Sequence, residues 1–150
     1  MTTPVFLIPM VIGLLTQFSK RFFNKFSTVQ VGNLSLPRYG GMPSAHAAFG
    51  FSVATVVFLT EGINSAAFAI STALVVLLLD DALRMRVYLG QHGKALIYLA
   101  HRLPKDQQKD LPSLQDKLGH TPQEVAVGAI FGIVLTVLFM MMFLPPDSVL

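Results

Sequence analysis

The sequence predicts an all-α fold: a multi-pass transmembrane helical bundle of about four spans, forming one domain over residues 1–150. Three observations predict it. The composition is 53% hydrophobic and only 13% charged, whereas soluble domains carry about 25% charged residues. Four stretches approach the roughly 20 apolar residues that a helical span needs. Every Lys and Arg falls between or beside those stretches in a pattern that four spans bring to one face. The competing architecture, a soluble bundle of four buried helices, would need more polar surface than this composition supplies.

The first stretch, Val5 to Phe23, is interrupted by Pro9, Gln17, Ser19 and Lys20, none of which excludes a membrane helix. Its basic residues follow the apolar run instead of preceding it, which favours a retained anchor over a cleaved signal peptide. The second is Met42 to Thr60. The third runs from Asn64 to Leu79 and can extend to Met85. The fourth, Val125 to Leu144, is the cleanest, and its Gly128 and Gly132 suggest a close-packing face. Between the third and fourth lies a loop at about 85–121. Leu96, Ile97, Leu99, Ala100 and Leu103 recur at helical spacing there, the pattern of a surface helix lying at the membrane or on the bundle. No repeat or low-complexity tract interrupts the chain.

Charge sets the expected topology. The eleven basic residues sit at the end of the first span, between spans one and two, or between spans three and four. The turn between spans two and three carries only Glu61, and the C-terminal tail only Asp147. By the positive-inside rule the basic face is cytoplasmic and both termini lie outside. The pI near 9.5 therefore reads as membrane orientation, with membrane lipids and not nucleic acid as partners. The chain has no cysteine, which excludes disulfides, thiolate nucleophiles and metal–thiolate centres. Oligomeric state is not legible.

Three polar groups fall on the basic face. In Arg38–His46, RYGGMPSAH, a helix starting near Pro43 would aim free amides at an anion, Ser44 could add a hydroxyl, and His46 could donate a proton to a leaving oxygen. A glycine turn and an ordinary helix start explain the same residues. In Asp80–His92, DDALRMRVYLGQH, Asp81 and Arg84 can share a helix face, and Arg84 or Arg86 could bind anionic oxygens. Interfacial ion pairs that stop the span are the bland alternative. A metal held by Asp80, Asp81 and a histidine matches no strong motif. In Leu118–Gly128, Thr121, Pro122 and Glu124 form a capping box with proline at N1. That leaves His120 unexplained, and Glu124 could instead orient its imidazole. Lys20, at the inner end of the first span, either snorkels to the interface or adds positive charge to an anion pocket.

Gly40-Gly41-Met42-Pro43-Ser44-Ala45-His46, taken with Leu118-Gly119-His120-Thr121-Pro122-Gln123-Glu124-Val125, resembles the divergent branch of the PAP2 family, related to acid phosphatases and vanadium haloperoxidases. The resemblance extends over nearly the whole chain. It implies a helical phosphatase-like fold with a phosphate pocket. It also implies that His46, in a P-S-A-H variant of the family's P-S-G-H, protonates the leaving group. The family's arginine-to-histidine spacing survives between Arg86 and His92, and its histidine-to-carboxylate spacing between His120 and Glu124. The motif is thus split across the long loop, with Leu96 where an aspartate would follow His92 and Tyr88 where this branch usually has a histidine. The resemblance therefore implies a membrane phosphatase acting on a phosphomonoester or lipid (pyro)phosphate through a phosphohistidine. His120 is the nucleophile, with His92 as the alternative. Lys20, Ser44, Arg86 and Asp81 form the substrate-binding set, and no metal or cofactor is required. A second function fits the broken motifs: a non-catalytic membrane protein that binds anionic lipid or a protein partner through its basic face. Transport is disfavoured, because mid-span charged groups are almost lacking.

Overall fold

The architecture was obtained as a computed structural model, which describes residues 5–23, 28–31, 34–37, 41–108, 111 and 118–143. Lys25, Arg38, Gly40, Lys109 and Lys117 lie outside the described residues, as do the side chains of Lys20 and Arg21. Helix α1 spans Leu7–Phe23. A short hairpin follows, β1 (Thr28–Val31) pairing antiparallel with β2 (Leu34–Pro37) and Val31 opposite Leu34. Then come α2 (Ala45–Glu61), α3 (Ala66–Asp80), a π turn (Asp81–Met85), α4 (Arg86–Ala100), α5 (Lys105–Gln108) and α6 (Pro122–Phe143). The hairpin was not anticipated, since that segment had been weighed only for its charge.

The helices begin where short polar side chains can satisfy their free amides. Ser44 caps α2 by accepting from Ala47 N–H at 3.5 Å, and Ser65 caps α3 by accepting from Phe68 N–H at 3.1 Å. Pro43 consequently stands just before the cap and not in the first turn, with a cis Met42–Pro43 peptide. Gly62 turns the chain between α2 and α3 at φ 79° and donates back to Phe58 C=O.

At the heart of the bundle, α2 and α6 run parallel. Their contact is a ladder with a rung every four residues: Ser44 against Gly128, Ala48 against Gly132, and Ser52 against Thr136. The glycines bring backbone to backbone, the close approach that small residues permit between membrane helices. Thr136 Oγ1 lies 2.7 Å from Ser52 Oγ and 2.6 Å from Gly132 C=O. One hydroxyl proton cannot serve both acceptors, so when Thr136 donates to Gly132, Ser52 donates to Thr136. Helix α1 lies antiparallel to this pair. Ile8 and Ile12 meet Val56 and Met140 at one end, and Gly13 faces Phe49 nearer the other.

The outer surface is far more apolar than that of a soluble protein, and several hydroxyls lie inside. Thr16, Ser44, Ser52, Ser71 and Thr136 are buried, while Phe6, Met10, Leu14, Ile70, Leu77, Ile130 and Met141 face outward. A chain that buries hydroxyls and presents leucine and phenylalanine to its surroundings is built for hydrocarbon. Apart from the Ser52–Thr136 pair, the buried hydroxyls bond within their own helix, as in Thr16 Oγ1 donating to Ile12 C=O at 2.7 Å. Among the described residues two helices are long and apolar enough to cross a membrane, Ala66–Ala100 and Pro122–Phe143, while the helices at Leu7–Ser19 and Ala45–Glu61 are shorter.

One expectation is corrected here. The segment after span three is not a separate surface helix. It continues α3 through the π turn as one 35-residue helix, Ala66–Ala100. Charged residues at 80–86 read as a stop in the sequence, yet charge alone does not break a helix whose backbone bonds continue.

Candidate functional site

The N-termini of α2 and α6, the C-terminal end of α1 and the π turn after α3 all lie at one end of the bundle. The parallel ladder fixes the first two, and Ser44 N–H donates to Glu124 C=O at 3.1 Å. That bond joins the Pro43–His46 segment directly to the His120–Glu124 segment, although about eighty residues of chain separate them. Short connections or antiparallel packing bring in the other two ends.

The start of α6 is built as the sequence suggested. Glu124 N–H donates to Thr121 Oγ1 at 3.3 Å, and Thr121 N–H donates to Glu124 Oε2 at 3.0 Å, the reciprocal pair of a capping box. The same oxygen, Oε2, lies 3.0 Å from His120 Nδ1. Capping and orientation had looked like competing roles for one carboxylate. They are compatible, because a carboxylate oxygen has two lone pairs. A carboxylate can only accept, so Nδ1 carries the proton, and in the neutral ring Nε2 is the basic nitrogen. The His120 ring is buried, with 8% of the residue exposed, which limits the rotamers open to it.

What holds the backbone of His120 was not foreseen. Its N–H donates to Ala82 C=O at 3.1 Å, in the middle of the π turn. A π turn loosens the regular ladder of helical bonds and commonly marks functional positions. Gly119, at φ +100°, lays the chain flat against Arg86 and Val87 just before this bond. An added Cβ would stand 2.9 Å from Val87 Cγ2 and 3.1 Å from Val87 N. The π turn also determines the ion pairs. Arg86 Nε donates to Asp81 Oδ2 at 2.7 Å, and Arg84 pairs with Asp80 at 3.2 Å. The expected Asp81–Arg84 pairing is therefore replaced. Residues five apart stand about 140° round an α-helix, and the wider turn brings Asp81 and Arg86 together. Both carboxylates are engaged by arginines, which argues against the Asp80–Asp81 metal site. Nε is taken by Asp81, so the two terminal nitrogens of Arg86 carry its remaining donors.

The expected residues thus fall into three groups. Ser44, His46, His120, Glu124, Arg86 and Asp81 gather at one end of the bundle. Lys20 belongs to the last turns of α1, at the same end. His92 does not join them. It is exposed on α4, ten residues and so about 15 Å along the helix beyond Ala82. The Thr121–Glu124 capping box is as the sequence predicts, whereas Ala82 as the anchor of His120 was missed, because a backbone acceptor leaves no trace in side-chain identity.

The family model described as the divergent PAP2 family matches residues 1–135. The chain belongs to the divergent PAP2 family. It is also 33% identical over 116 residues to the uncharacterized membrane protein YuiD of Bacillus subtilis (strain 168), covering 70% of this chain and 73% of that one. No solved structure matches the chain. A PAP2-related membrane protein is therefore the level at which sequence likeness, an apolar outer surface and apolar helix length coincide.

Proposed function

We propose that this divergent PAP2 protein is a membrane phosphatase that hydrolyses a phosphomonoester or lipid (pyro)phosphate at the membrane interface. The observation that carries the reading is the Ser44 N–H to Glu124 C=O bond. It sets the Pro43–His46 segment against a histidine whose tautomer is fixed by a carboxylate 3.0 Å away.

In this reading His120 Nε2 attacks phosphorus and the bond from phosphorus to the leaving oxygen breaks. His46 gives its proton to that oxygen. Water, deprotonated by the now neutral His46, attacks the phosphohistidine and releases phosphate, which restores both rings. Glu124 holds the Nδ1 proton and offsets the positive charge that His120 gains. Arg86, kept in place by Asp81, acts with Ser44 and Lys20 on the phosphoryl oxygens as charge builds in the transition state. Four crossing helices with the site on the cytoplasmic face would put all eleven basic residues beside the headgroups of anionic lipids.

Phosphate release by purified protein from a short-chain phosphomonoester and from a lipid phosphate in vesicles tests the reading. His46→Ala and His120→Ala should each cost about 10²–10⁴-fold. His92→Ala is the comparison, and a loss there matching that at His120 would transfer the nucleophile to His92. Activity retained by both His46→Ala and His120→Ala would refute the assignment. Binding of anionic vesicles with no phosphate released from any substrate would favour a non-catalytic, lipid-binding role.

A further inference from the structure

Helices α3 and α6 both pack against α2, but their distance from each other changes along the bundle. At the site end, Ala47, Ala82 and Val125 form one buried cluster, with Leu79 and Leu83 against it. Farther along, α3 and α6 stand apart over α2 and leave a cavity of about 420 Å³. Helix α2 contributes Phe51, Thr55 and Phe58 to its lining, α3 Phe68 and Thr72, and α6 Ile133. Thr55 Oγ1 donates to Phe51 C=O at 2.7 Å, and Thr72 Oγ1 to Phe68 C=O at 2.8 Å. Both hydroxyl protons are thus spent within their own helices. The Phe58 and Phe68 rings, 5.8 Å apart, join α2 to α3 at the far end.

We infer that this cavity holds the distal part of one hydrocarbon chain of a lipid phosphate whose phosphoryl group lies at the site. The inference rests on the phosphatase reading above and narrows its substrate to the lipid form. Three observations favour this occupant. First, the cavity is continuous with the site along the helices that build both. Phe51 is seven residues past Ser44 and Phe58 fourteen, which is about 10 and 21 Å along α2. A chain tethered by its phosphate near Ser44 and Arg86 reaches that depth in a core about 30 Å thick. Second, the size suits a chain. A helix about 10 Å across would need about 900 Å³ over the stretch from Phe51 to Leu59, about twice the space present. Third, the lining offers no free hydroxyl proton, so it rewards hydrocarbon alone. Lipid tails are as apolar as this lining, so what the cavity supplies is orientation. A held chain fixes where its phosphoryl group sits. Leu79 and Leu83 stand between cavity and site, so the near part of the chain passes over them and only the far part is gripped. Long chains are therefore favoured over short ones.

The full-length protein in vesicles tests this. Ala54→Phe and Thr72→Phe each place a ring in the cavity from a different helix. Leu77→Phe, on the exposed face of α3, is the control. In both cavity variants kcat/KM for a long-chain lipid phosphate should fall about 10-fold or more. The value for a short-chain soluble phosphomonoester should not change, and neither value should change in Leu77→Phe. Binding is read separately in the His120→Ala protein, where the probe keeps its phosphate. A lipid phosphate with a photoactivatable group near its chain end should label residues 51–59 and 133–137 more strongly than the same chain ending in an alcohol. Equal labelling by the two probes makes the cavity an ordinary lipid contact and overturns the inference. So does no labelling by either, the outcome of a second copy filling the space. A loss in the cavity variants that is absent, or the same for both substrates, overturns it as well. If the parent releases no phosphate from either substrate, the catalytic reading fails by itself. Labelling that depends on the phosphate would then still support the chain site, and labelling that does not would overturn it.

Discussion

Replacing Gly128 by alanine is the sharpest test of how the site is assembled, because one methyl group loads the α2–α6 contact and the site bond together. A Cβ on Gly128 would lie 3.0 Å from Ser44 N and 3.1 Å from Ser44 C, and closer still to Ser44 O. Ordinary carbon contacts are about 3.5–4.0 Å, so the two helices would have to part by about 1 Å. The obstacle is backbone on both sides and no rotamer change relieves it. Overpacking of this kind costs about 1–3 kcal/mol. The same displacement would stretch the 3.1 Å Ser44–Glu124 bond to about 4 Å, beyond hydrogen-bonding range. A 1 Å misplacement of reacting groups can cost about 10²-fold in rate. Gly128→Ala should therefore lower the midpoint of thermal unfolding in detergent and reduce phosphate release about 10²-fold. Gly13→Ala is the internal control, since its Cβ would meet only the Phe49 side chain at 3.5 Å, an ordinary contact. Gly50→Ala falls between, because the atom it meets at 2.9 Å is the mobile end of Leu78. A Gly128→Ala protein as stable and as active as the parent, or a Gly13→Ala protein equally damaged, would refute the backbone-contact argument.

Three further outcomes follow from the same geometry. Gly119→Ala forces a left-handed conformation on a residue with a Cβ and drives it into Val87. It should cost about 1–3 kcal/mol and slow phosphate release, with hydrogen exchange at the His120 amide rising as its bond to Ala82 fails. Glu124→Gln keeps an acceptor for the Thr121 amide but loses the charge beside His120. Thermal unfolding should move little while activity falls by about 10² or more, and equal activity would remove Glu124 from the mechanism. Ser52→Ala with Thr136→Val removes both members of the buried hydroxyl pair and should cost no more than about 1 kcal/mol, since such bonds average about 0.6 kcal/mol in membrane proteins. A larger loss by denaturant titration would mean that the pair does more than fill space.

Much of this site was legible in the chain because its construction is local. Thr121, Pro122 and Glu124 announce a helix start by spacing, and the structure forms that cap. Gly128 and Gly132 predicted a close helix contact, and they meet Ser44 and Ala48. The long third helix was obscured because charge at 80–86 and glycines at 90 and 93 are the usual punctuation of a helix end. The Asp81–Arg86 pairing was hidden for a deeper reason. Side-chain spacing is read against a period of about 3.6 residues, and a π turn breaks that period without altering composition. The hairpin at 28–37 escaped because its strands are only four residues each, too short for alternation to stand out.

The π turn has one more consequence. It accommodates a single additional residue within an otherwise regular helix, so the helices on either side keep the rotational phase they would have without it. Deleting one residue from Asp81–Met85 should restore plain α geometry and leave α4 facing as before. It would also withdraw the carbonyl that holds the His120 amide and part Arg86 from Asp81. The turn therefore works as a clutch in the sequence. A one-residue change there alters the contacts of His120 and Arg86 without rotating α4, so the two halves of the 35-residue helix are geometrically independent.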